Sequence, residues 1–124
     1  MILGGRHMGK RAHAEACYGP FRSLCDLSRD APEFVADAEL VLNLQEGVRA
    51  LLLRGADMRA FFAARLARLR QSVLIGDEIG SGVVPMDPFE RRWRDETGFL
   101  YQYLAREAET VERVWAGLAV KIKG

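Results

Sequence analysis

The sequence predicts an all-α protein, an up-down bundle of three long helices preceded by short helical segments. Three observations carry that expectation. First, Asp30-Ala31-Pro32-Glu33 and Asp87-Pro88-Phe89-Glu90 each set an Asp three residues ahead of a Glu, with Pro in the first turn. That is a capping-box arrangement: the Asp accepts from orphan first-turn amides, the Glu reaches back, and Pro lacks only an N–H that the helix start does not use. Second, apolar residues recur at helical spacing behind each box. Third, glycines and an Asp fall where helix ends belong.

Taken in order, residues 1–8 read as a loose tail, and Gly5-Arg6-His7-Met8 resembles residues left by a cloning site. Residues 9–124 then form a single helical domain. Lys10 to Tyr18 reads as a short Ala-rich helix stopped by Gly19-Pro20. Phe21 to Leu27 is a second short apolar piece.

The first long helix is predicted over 31–53. Phe34, Val41 and Val48 are seven apart, and Ala38, Leu44, Leu51 and Leu52 fill the same face. Gly55 sits at the C-terminal cap position. Gly47, inside this helix, costs about 1 kcal/mol relative to Ala and permits close approach of a neighbour. Asp57 caps a second helix over 57–75, with Phe62, Leu66, Leu69 and Val73 on its apolar face and Met58 at the margin. Gly76 to Met86 is a loop, long for a bundle connection. The third helix is predicted over 88–121. Thr97, Leu104, Val111 and Leu118 are spaced by seven, and Trp93, Leu100, Tyr101, Ala108, Trp115 and Ile122 widen the stripe.

Composition bounds function loosely. Hydrophobic residues make up 49% and charged residues 28% of 124 residues, as in a globular domain, and the net charge of +1 gives no overall pull towards nucleic acid or anionic membrane. Apolar runs such as Ala50 to Leu53 are far too short to span a bilayer. The cytoplasm is the default compartment, with Cys17 and Cys25 as free thiols. Charge is segregated: Asp26 to Glu46 sums to −5 and Arg49 to Arg70 to +5. Arg65 and Arg68 flank one edge of the second helix's stripe, and Arg59 and Arg70 the other, as charges do when they pair with an acidic neighbouring helix.

No chemical constellation stands out. His13 and Cys17 share a helix face, but with Cys25 and His7 they match no common zinc spacing. Glu107 and Glu112 lack the histidines of a di-iron bundle. Gly80-Ser81-Gly82 lacks the Lys and following helix start of a phosphate loop. No catalytic residue, metal or cofactor is therefore assigned. Glu107 reads as a boundary residue whose carboxylate reaches water. Phe99, Tyr103 and Val120 lie off the third helix's core face and are the candidate contacts with another protein or a second copy.

The sequence thus favours a non-enzymatic interaction protein, an adaptor or small subunit of a larger assembly. A nucleic-acid-binding subunit using Arg65, Arg68, Lys10 and Arg11, with Arg6 and Arg22 in a basic arm, is the alternative. An enzyme, with the Gly76–Met86 loop as a lid and carboxylates or Cys25 as reacting groups, stands third.

Overall fold

Short apolar runs, not long helices, set the architecture. In the computed structural model, which describes residues 1–79 and 87–124, the runs form strands β1 (Ile2–Gly4), β2 (Leu24–Asp26), β3 (Leu40–Leu42), β4 (Val73–Asp77), β5 (Val111–Trp115) and β6 (Leu118–Lys123). They make one mixed sheet in the order β2-β3-β4-β1-β5-β6. β2, β3, β4, β1 and β5 run parallel, and β6 returns antiparallel along β5.

Side chains alternate across this sheet. Ile2, Leu40, Leu42, Ile75 and Val114 pack with Ala14 of helix α1 (Lys10–Tyr18) on one face. Cys25, Val41 and Leu74 join the larger core on the other. That core is closed by α2 (Leu44–Leu53), α3 (Met58–Ala64), α4 (Leu66–Leu69) and α5 (Pro88–Glu107). The protein is therefore α/β, with helices on both faces of a largely parallel sheet.

The all-α bundle is thereby overturned, element by element. The stretch 31–53 divides into a 3-10 turn (Pro32–Asp37), β3 and α2. The stretch 57–75 divides into α3, α4 and β4, and 88–121 into α5, β5 and most of β6. The reason is burial on both faces: a central parallel strand reads as an unbroken apolar run, so Leu40-Val41-Leu42 and Val73-Leu74-Ile75 lack the polar alternation that would separate them from buried helix. The seven-residue spacings crossed element boundaries by coincidence. Phe34 and Leu118, both assigned to the stripes, are exposed. Ile2–Gly4, expected in a loose tail, is a central strand whose Ile2 is buried.

The local signals fared better than the global pattern. Lys10–Tyr18 is a helix. Asp57 accepts from the Ala60 amide at 3.1 Å to cap α3, and Asp87 accepts from the Phe89 amide at 2.8 Å to cap α5. Gly55 closes α2 through Gly55 N–H to Leu52 O and Ala56 N–H to Leu51 O, the paired bonds of a Schellman cap. At Gly47 a Cβ would stand 2.7 Å from Leu27 Cδ1, so glycine lets β2's extension seat against α2. Neither Glu of the duplicated box reaches back: Glu33 pairs with Arg54, and Glu90 with Arg49 at 2.7 Å. Residues 80–86 of the Gly76–Met86 loop, with Gly80-Ser81-Gly82, lie outside the described residues; Gly76 and Asp77 belong to β4.

Candidate functional site

Strand order reverses beside β1. The chain leaves β1 through α1 to β2 at one edge, whereas β4 passes through α5 to β5 on the far side of β1. In open parallel sheets such a reversal opens a crevice at the carboxyl ends of the strands. Here an open cleft of about 390 Å³ occupies it, bordered by Arg6, Gly9, Lys10, Arg11, Asp26 and Asp77 among others.

The loop from β1 to α1 reads Gly4-Gly5-Arg6-His7-Met8-Gly9-Lys10-Arg11. Its Gly4-x4-Gly9-Lys10 spacing is that of a phosphate-binding loop up to the final position, where Arg11 stands in place of Ser or Thr. Both glycines are structurally required. A Cβ on Gly4 would lie 2.3 Å from the Val114 carbonyl oxygen, and Gly9 has φ +92°. Gly9 offers no side-chain cap to α1, whose first turn contains no acid and two cations, Lys10 and Arg11. The helix start thus keeps its amide donors and positive dipole end with neither a side-chain cap nor an acid of its own first turn to meet them.

Lys10 is only 7% exposed, and its ammonium donates to Gly5 O at 2.6 Å and pairs with Asp77 at 2.8 Å. Asp77 ends β4 and is clamped by Gln45: its amide donates to Gln45 Oε1 at 2.9 Å, and Gln45 Nε2 donates to Oδ2 at 3.3 Å. Gln45 Nε2 also reaches Asn43 Oδ1, and Asn43 Nδ2 donates to Asp26 Oδ1 at 2.8 Å. Asp26 accepts further from Ser28, and although burial opposes ionisation, the Ser28 and Asn43 bonds hold its carboxyl below the ordinary aspartate range. A continuous polar line therefore runs from the loop across the ends of β4, β3 and β2. Tyr101 of α5 braces it from behind, donating to Asp77 O at 2.6 Å; burial, then the nearby Asp77, pushes its phenol up.

Of the three expected contact residues, Phe99 and Tyr103 are brought together and Val120 lies on a different element. Phe99 and Tyr103 share a face of α5, their rings 6.3 Å apart, with the Arg59 guanidinium 3.6 Å from the Phe99 centroid. Val120 stands on edge strand β6, 64% exposed, with Leu118 and Ile122 exposed beside it. The basic residues are likewise dispersed. Arg65 donates to Phe61 O, Arg68 to Ala36 O and Ala38 O, and Arg11 pairs with Glu15; of the basic set, Arg6, Lys10 and Arg11 border the cleft, whereas Arg65 and Arg68 do not. The arginines of the second charged block divide between acids of α5 and the earlier acidic block: Arg49 meets Glu90, Arg59 meets Glu96 and Arg70 meets Glu107 on α5, while Arg49 also meets Glu46 and Arg54 meets Glu33. Glu107 is a partly exposed boundary residue. His13 and Cys17 do face each other, Sγ to Nδ1 3.6 Å, but Cys25 is buried in β2, and no three His, Cys, Asp or Glu gather as a metal site among the described residues.

Residues 44–122, more than half of the chain, match the family model described as cobinamide kinase / cobinamide phosphate guanyltransferase, CobU. The chain belongs to the CobU family. It is 42% identical over 52 residues to the bifunctional adenosylcobalamin biosynthesis protein CobP of Pseudomonas aeruginosa, covering 42% of this chain and 30% of that protein. It is 37% identical over 68 residues to the corresponding CobU of Escherichia coli (55% and 38%), and 43% identical over 51 residues to that of Salmonella typhimurium (41% and 28%). The chain thus matches less than two-fifths of the length of these relatives. Membership in an enzyme family overturns the non-enzymatic adaptor, just as the P-loop-type α/β sheet overturns the bundle. Among the described residues no helix is long and apolar enough to cross a membrane.

Gly4, Gly9 and Asp77 are not singled out by the sequence reading, which groups Lys10 with a basic arm; the structure sets Lys10 against Gly5 O and Asp77. The spacing of Gly4, Gly9 and Lys10 carries a signal, but it overlaps Gly5-Arg6-His7-Met8, which resembles a cloning remnant. Asp77 and Gln45 carry no local signal, since only the sheet order brings them to the loop.

A phosphate loop of this type commonly shares its ligand with Mg²⁺, held in part by the Ser or Thr hydroxyl. The residues present do not fit that ion. Position 11 is a guanidinium, and Asp77 Oδ1, the nearest carboxylate oxygen to the loop lysine, is engaged by Lys10.

Proposed function

We propose that this CobU-family chain binds the phosphate groups of a nucleoside triphosphate on the loop Gly5–Gly9 and the start of α1, in the service of phosphoryl or guanyl transfer to a cobinamide. The observation that carries this reading is the buried Lys10, fixed between the loop and Asp77 at the point where the strand order reverses. Uncapped amides of α1 supply donors, and Lys10 supplies a fixed charge at the floor of the cleft. Phosphoryl transfer asks chiefly for positioning and charge stabilisation, which such a cradle provides.

The test is titration with GTP and ATP, followed by amide chemical shifts. Binding that perturbs the amides of Gly5 to Ala12, and that weakens tenfold or more in Lys10→Met, supports the reading. Binding of neither nucleotide, or shifts confined to a surface away from this loop, overturns it.

A further inference from the structure

We infer that Arg11 takes the place of a divalent cation at this loop, so that the chain binds a polyphosphate as the free anion rather than as its magnesium complex. The inference rests on the phosphate-site reading above and concerns the form of the ligand that the site accepts.

Three observations meet at position 11. The residue after the loop lysine is the one whose hydroxyl would ligate the metal, and here it carries a fixed positive charge. A guanidinium has no lone pair to offer a metal and repels one, whereas its planar fork matches two phosphate oxygens at once. Next, Arg11 borders the cleft and donates from Nε to Glu15 at 3.1 Å, while its two terminal amino groups make no hydrogen bond among the described residues. A polyphosphate at the helix start would find that fork unspent. Finally, Arg11 sits in the first turn of α1 beside a second cation, with neither an acid in that turn nor a side-chain cap. Cations at the positive end of a helix are unfavourable unless an anion joins them.

The carboxylates that could instead recruit a metal are committed. Asp77 holds Lys10 and Gln45, Asp26 holds Ser28 and Asn43, and Glu15 lies a turn further along α1 against Arg11. The remaining cation bordering the cleft, Arg6, adds to the positive side.

Calorimetric titration with GTP and with inorganic tripolyphosphate, each in EDTA and in saturating MgCl₂, reads the inference without any turnover. The wild-type chain should bind in EDTA at least as tightly as in Mg²⁺. Arg11→Ser should bind at least tenfold more weakly in EDTA and recover on adding Mg²⁺, while Arg11→Lys, which keeps the charge, should stay within a few-fold of wild type in EDTA. Arg11 is more than half exposed, so these variants leave the core intact. Wild-type binding that tightens tenfold in Mg²⁺, or an Arg11→Ser variant with unchanged affinity in EDTA, overturns the inference and leaves the phosphate site standing. No binding under either condition removes the phosphate site itself, and this inference with it.

Discussion

Replacing Lys10 by Met tests whether the pair at the cleft floor is structural as well as functional. Met keeps most of the stem that packs beside Gly4 and removes the charge. Two interactions go. The bond to Gly5 O at 2.6 Å is worth about 1 kcal/mol net. The pair with Asp77 joins side chains 7% and 20% exposed, so its loss leaves a half-buried carboxylate held only by Gln45, at a cost of about 2–3 kcal/mol, below the range for fully buried pairs. Against this, removing a cation from the first turn of α1 returns about 0.5 kcal/mol. The net loss is about 2–4 kcal/mol, which for a chain of this size lowers Tm by roughly 6–20 °C. Urea and thermal unfolding of wild type, Lys10→Met, Asp77→Asn and the double variant give the coupling directly, and it should exceed about 1 kcal/mol. A coupling near zero, or a Lys10→Met protein as stable as wild type, would refute the placement of Lys10 on Asp77.

Other perturbations address separate parts of the molecule. Leu51→Ala empties a fully buried position of α2 and should cost about 2–5 kcal/mol in urea unfolding. Thr97 is buried on α5 with its hydroxyl unpartnered among the described residues, so Thr97→Val should be neutral or stabilising by about 1 kcal/mol in the same measurement. Burial, then Asp30 and Asp26, push the Cys25 thiol up to about 11; iodoacetamide at neutral pH should label exposed Cys17 and reach Cys25 only on unfolding, as read by mass spectrometry. At Glu112 burial favours protonation, but hydrogen bonds from Tyr18 and His13, with the His13 and Lys121 charges, outweigh it and hold the carboxyl below the ordinary glutamate value of 4.5. Its stabilising share is therefore complete above that value and lost as pH falls through the lower, folded-state value; Glu112→Gln should flatten the acid limb of the stability–pH curve, and an acid limb as steep as wild type would refute this role.

What could be read from the chain depended on how local the signal was. Asp57, Asp87 and Gly55 marked helix ends because capping is decided within a few residues. The hairpin turn Ala116-Gly117, with φ of 48° and 77°, is equally local, and its X-Gly pair between Trp115 and Leu118 was open to reading as a two-residue turn. Strands β3 and β4 were not separable from helix, because both faces are covered and the polar half of the pattern is missing. The Gly4-to-Lys10 spacing was legible in principle. Its partner Asp77, 67 positions beyond Lys10, was not, since nothing short of the pairing of β1 with β4 brings Gly4 opposite Asp77.

That same pairing explains why loop and wall depend on each other although they come from different parts of the chain. The family match begins at residue 44, so it includes Gln45, Asp77, Trp93 and Tyr101 and excludes the loop itself. Trp93 donates to Gln45 O at 2.7 Å, and Tyr101 donates to Asp77 O, so α5 fixes both residues that receive Lys10 or orient its partner. The matched segment therefore builds a carboxylate wall in which Gln45 holds Asp77 Oδ2 and Oδ1 meets the lysine that the unmatched segment supplies. Without β1 and its lysine, that wall would carry a half-buried charge with no cation; without the wall, Lys10 would have no reason to leave water. Each half thus supplies the charge that the other's shielded group pairs with, Lys10 from the unmatched segment and Asp77 from the matched one.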